Sequence, residues 1–147
     1  MIPDKHANEK FREETELFLN NIREVENVFL VAGDRHFKYH SAINSAEYPG
    51  LGHFHEFSSG SAAAPPHAIS GGIPDTDFAK LIYSDGFASG ASAGYLRVDV
   101  APLHNGAEIT FKLIRVTEDF DNDVVYQQTF TSIESTSIYL PILMAAN

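Results

Sequence analysis

Apolar and polar positions follow three rhythms along this chain, and each predicts a different element. Over residues 8–26, Phe11, Phe18, Ile22 and Val25 return at helical spacing, while Lys10, Glu13, Glu16, Asn20 and Glu24 fill the other positions. The spacing predicts one helix whose Phe and Ile stripe lies against a sheet. Glu9, Glu13 and Glu14 sit early in it, where the helix dipole favours negative charge. After a short link at Asn27, Val28-Phe29-Leu30-Val31-Ala32 is apolar without interruption and stops at Gly33. That pattern predicts a strand buried on both faces, because a strand of a one-sided sheet would alternate. The last third does alternate: Leu96, Val98 and Val100 face one way over 95–100, and Ile109, Phe111 and Leu113 over 108–116, with a third strand at 124–130.

Between these stretches the rhythm is lost. Residues 37–43 are mixed, and Pro49, Gly50 and Gly52 mark a turn. A short strand at 53–58, with Phe54 and Phe57 apolar, breaks at Ser59-Gly60. Residues 59–94 form a Pro-, Gly- and Ala-rich loop region, with Pro65-Pro66 and Gly71-Gly72 and no periodicity over 61–75. At 77–94 a helical turn (Phe78, Leu81, Ile82) and a loop (Gly86, Gly90, Gly94) fit equally. His104-Asn105-Gly106 carries an Asn-Gly turn signal inside a loop longer than a tight hairpin. The acidic run 118–123 reads as a polar hairpin turn. As a calcium loop starting at Asp119 it would need Gly and Glu where Val124 and Phe130 stand. The expected fold class is α+β: an N-terminal helix and buried strand, together the unit 8–36, followed by mostly antiparallel β over 95–147, in a single or partial domain spanning 1–147.

Composition narrows the function classes. A chain of 147 residues fits one domain. Ten basic against twenty acidic side chains give a formal charge of −10, which disfavours nucleic acid and anionic membranes as partners. The apolar run 138–144 is too short to span a bilayer, and residues 1–6 lack the layout of a secretory signal. Without cysteine there are no disulfides and no thiolate ligands.

The chemistry concentrates at Gly33-Asp34-Arg35-His36. A glycine at a strand end lets the backbone turn or approach a ligand, and alternate residues Asp34 and His36 leave on the same side. One hard oxygen and one borderline nitrogen suit a divalent or trivalent cation, although the same four residues also describe a plain turn. His53 and His55 would share a strand face, but Glu56 points the other way, so both read as ordinary half-exposed residues rather than a metal pair with Asp34. His67 and His104 have no evident partner. Ser58 and Ser59 lack a nucleophile-elbow context.

The helix 11–25, the Phe29-Leu30-x-x-Gly33-Asp34-x-His36 strand end and the segment His55-Glu56-Phe57-Ser58-Ser59-Gly60 resemble the C-terminal part of alkaline phosphatase D-like enzymes, which are calcineurin-type metallophosphoesterases. The resemblance covers roughly residues 7–130, and its specific part is the Gly-Asp-x-His and Glu-Phe-Ser-Ser-Gly segments. It implies the C-terminal half of an αββα sandwich, Asp34 and His36 as metal ligands, iron, calcium, manganese or zinc as the metals, and a phosphate mono- or diester as substrate. The resembled family is usually exported. The family's other ligand motifs, upstream of the Gly-Asp-x-His segment, are absent here. Two expectations follow. The chain is the C-terminal portion of a phosphoesterase, completed by a second copy in a homo-oligomer or by a complementing chain; alternatively it is a non-catalytic β-rich assembly or binding module derived from that family.

Overall fold

The computed structural model describes residues 17–18, 20–22, 25, 28–33, 37–43, 54–60, 79–85, 92–117, 119 and 121–133. Within them seven strands run in chain order: β1 (Phe29–Ala32), β2 (Lys38–Ile43), β3 (Phe54–Ser59), β4 (Ala79–Ser84), β5 (Gly94–Leu103), β6 (Gly106–Val116) and β7 (Asn122–Ile133). They form two sheets. The first is mixed, in the order β1-β3-β2-β4, and the second is the meander β5-β6-β7. The fold is β-rich with little helix. Of the expected helix, residues 17–18 and 20–22 are helical, with Phe18 and Ile22 half-buried and Val25 exposed, so Val25 does not extend the buried stripe.

The meander follows from its alternation. In β6, Ile109, Phe111 and Leu113 are buried, while Thr110 and Lys112 face outward against Asp99 and Arg97 of β5. Arg97 and Lys112 are direct cross-strand neighbours of like charge. Asp99 offsets the repulsion by accepting from Arg97 at 2.9 Å and from Lys112 at 2.8 Å. Val100, expected inward, is exposed near the end of β5. The β5–β6 connection is shorter than expected: Leu103 pairs with Gly106, leaving only His104 and Asn105 in the turn. Gly106 itself carries φ 140°, a backbone angle that side chains rarely adopt. Between β6 and β7 the polar hairpin is closed by Thr117, whose N–H donates to the Asp121 carbonyl at 2.9 Å and whose Oγ1 accepts from the Asp121 N–H at 3.1 Å.

The mixed sheet departs from the sequence reading in two places. β1 is one of the two outer described strands of its sheet and is not buried on both faces: Leu30 is buried but Val31 is 42% exposed. A continuous apolar run does not encode whether a strand is central or at an edge. The stretch at 77–94, left between helix and loop, contains β4. Its alternation is broken because His40 pairs with Tyr83 while Ser41 pairs with Leu81, which leaves Ile82 as an extra, exposed residue.

The two sheets meet through aromatic rings. Phe57 of β3 stacks on Phe111 of β6, with centroids 4.2 Å apart and planes 2° from parallel, and Phe29 and Phe130 close the sides at 4.8 Å from each other. Phe57 is completely buried. Full burial of such a side chain contributes about 1.5–3 kcal/mol, and each well-placed ring pair about 0.5–1.5 more.

Candidate functional site

β1 runs parallel to β3, and β2 runs antiparallel to it on the other side. Ala32 pairs with Ser58, and Lys38 pairs with Ser59. The carboxyl end of β3 therefore lies between the point where the chain leaves β1 and the point where it enters β2. Gly33 stands exposed at the first point and Phe37 buried at the second. Asp34 and His36, the metal ligands implied by the resemblance, lie between them and outside the described residues. In sheets with parallel strands, ligands gather at the carboxyl ends, which is where this segment is attached.

The floor under that edge is built tightly. Lys38 is fully buried, and its ammonium bonds the Asp85 carboxylate at 3.0 Å, the Ser92 hydroxyl at 3.0 Å and the Ser92 carbonyl. Asp85 also accepts from the Lys38 backbone N–H at 2.7 Å and from the Ser92 hydroxyl at 3.1 Å. Gly60, with φ 76°, turns the chain off β3, and a Cβ there would stand 3.0 Å from Lys38 Cγ. Ser58, in the segment carrying the family resemblance, is buried, and its Oγ lies 3.4 Å from the Gly60 N–H. Ser58 and Gly60 shape the strand end and present no reactive oxygen.

A second polar cluster lies between the sheets. His40 is 1% exposed and stacks on Phe57 at 4.1 Å. Its Nδ1 lies 2.7 Å from the Tyr126 hydroxyl of β7, and its Nε2 lies 2.9 Å from Nδ1 of His55 on β3. Burial, with the neighbouring His55, pulls the His40 pKa down to about 4. His55 and Glu56 point to opposite faces, with Glu56 accepting from the Tyr39 hydroxyl at 3.0 Å. His55 is thus a hydrogen-bonding partner of His40 through Nδ1; His53 lies outside the described residues.

The donor types of Asp34 and His36 fit a metal cation, but a two-metal centre needs more ligands than two. Among the described residues no three His, Asp or Glu side chains are grouped to hold an ion. His40, His55, Glu56 and Asp85 are engaged as described above. Further ligands must come from outside the described residues or from another chain. Sequence reasoning missed both the Lys38–Asp85–Ser92 knot and the Tyr126–His40–His55 chain. No local signal marks them, since the partners come from strands far apart in sequence.

No family model, no curated protein and no solved structure matches the chain. No described helix is long and apolar enough to cross a membrane.

Proposed function

We propose that this chain is the C-terminal portion of a metal-dependent phosphoesterase and contributes Asp34 and His36 to a metal centre that other residues complete. The observation that carries the reading is that Gly33, from which Asp34 and His36 continue in the chain, follows the carboxyl end of β1, beside the carboxyl end of its parallel neighbour β3. A loop leaving such an edge can hold ligands over the sheet while the strands beneath stay fixed. Iron, calcium, manganese or zinc bound there would polarise a phosphoryl oxygen and acidify a water. The Lys38–Asp85 pair, just after His36, anchors the segment's exit.

A complementing chain or a second copy belongs to the proposal, because a half-built centre binds metal poorly. Exposed Val31 on β1, Val100 and Leu103 on β5 and Val124 on β7 also favour the alternative, an assembly or binding module without catalysis. The two readings separate in one assay. The purified chain, reloaded with iron, calcium, manganese or zinc, is tested on an aryl phosphate monoester and diester beside Asp34→Asn. Metal-dependent turnover that the substitution abolishes is the expected result. Turnover indifferent to Asp34 overturns the assigned metal centre, and no turnover while the protein sediments as a defined oligomer overturns catalysis and leaves the binding module.

A further inference from the structure

The polar chain between the sheets has no part in the proposed metal centre. By register it lies toward the other end of β3: His55 pairs with Phe29 at the start of β1, whereas Gly33 follows the end of that strand. Its members come from both layers. His40 and His55 belong to the mixed sheet, and Tyr126 to the meander. His40 joins them, one nitrogen to each, inside a wall of Phe57 and Phe130.

The two imidazoles share one hydrogen bond, so only one proton belongs between Nε2 of His40 and Nδ1 of His55. One added proton is accommodated: half-buried His55 becomes imidazolium and donates to neutral His40, which in turn donates its Nδ1 proton to the Tyr126 oxygen. A second added proton places two N–H groups against each other across a 2.9 Å gap, with a full charge among phenyl rings. Among the described residues, the titratable groups around His40 are His55 from β3, Tyr126 from β7 and Tyr83 from β4, and the last two stack at 4.5 Å. Lys38, two residues back on the same face of β2, is neutralised by Asp85. No carboxylate bonds either nitrogen of His40 to receive the second charge.

We propose that the Tyr126–His40–His55 chain is an acid-sensitive latch between the two sheets: it holds while the histidine pair carries at most one added proton and opens when the pair must carry two. Opening separates β7 from β2 and disturbs the Tyr83–Tyr126 stack, while the hydrogen bonds within each sheet persist.

The test is a pH titration of the full chain from 7 to 4. The near-ultraviolet tyrosine dichroism reports the ring packing, the far-ultraviolet signal reports the strands, and histidine nitrogen chemical shifts report each protonation. The expected result is loss of the tyrosine signal with retained β signal, coincident with the second histidine protonation. His55→Asn keeps a hydrogen-bonding partner for Nε2 but removes one ionisation, so the pair can never carry two added protons and the tyrosine signal should persist well below the parent's midpoint. A tyrosine signal intact at pH 4 with both histidines protonated, or an unchanged midpoint in His55→Asn, overturns the latch. If His55→Asn is unfolded at pH 7, the parent's shifts decide alone: loosening that precedes the second protonation refutes the proposal.

Discussion

The buried Lys38–Asp85 pair offers the sharpest test of how this fold is held, because its two partners are not equivalent. Removing one member of a buried ion pair costs about 3–5 kcal/mol, since the survivor stays in the interior without its counter-charge. After Lys38→Met, Asp85 still accepts from the backbone N–H of residue 38 and from the Ser92 hydroxyl, and it keeps a little access to water. The expected cost lies at the lower end, about 3 kcal/mol. After Asp85→Asn, the ammonium of Lys38 remains fully buried with only the neutral oxygens of Ser92, and an amide that offers it either an oxygen or two like-oriented protons. The cost should then approach about 5 kcal/mol. For a domain of this size these correspond to falls in melting temperature of about 6–12 °C and about 10–20 °C. Urea unfolding of the three proteins, with equal m-values as a check on two-state behaviour, measures both. Two variants within about 1 kcal/mol of the parent, or Lys38→Met costing more than Asp85→Asn, would refute the reasoning.

Two further outcomes follow from the core. Phe57→Ala opens a cavity between His40 and Phe111 and should cost about 3–5 kcal/mol in urea unfolding; a loss under about 1 kcal/mol would mean the sheets do not stack through this ring. The depressed pKa of His40 makes stability depend on pH with a definite sign. The unfolded chain takes up the proton near pH 6.5 and the folded one only near about 4. His40's contribution is therefore full above 6.5, falls between 6.5 and about 4, and is lost below, a total of about 3 kcal/mol. His40→Phe should flatten that slope in denaturation at stepped pH. Asp99 is held down at about 2 by the hydrogen bonds of Arg97 and Lys112, so its own titration falls below this window.

How much of this was legible in the sequence depends on how local each cause is. The alternation of Ile109, Phe111 and Leu113 is a property of one strand, and it placed β6 with its inner face correctly. The β5–β6 turn was visible at Asn105-Gly106, but the pairing of Leu103 with Gly106 shifted it by one residue and shortened it. β1 was recognisable as a strand from its apolar run, yet the exposure of Val31 depends on which strands flank it, and neighbours are not written in the run itself. β4 was obscured by the bulge that leaves Ile82 unmatched. Lys38 and His40 fall in a stretch too mixed to assign from its pattern. Their burial depends on Asp85, Ser92, His55 and Tyr126, brought to them by strand pairings of long range. Asp34 and His36 lie outside the described residues, so the part of the site that the sequence named first rests on the sequence alone.

The one parallel pairing among the described residues, β1 beside β3, also dictates an order of assembly. β5, β6 and β7 join through two hairpins, whose short loops close with little entropy, so the meander can form early. β1 cannot be tied in so cheaply, because its partner β3 arrives only after the chain has gone out and back through β2. The strand that ends just before Gly33 should then be the last to dock and the first to detach, and its amides should exchange with solvent ahead of those in β6. A ligand seated beyond Gly33 would slow that exchange, coupling occupancy of the loop to the completion of folding.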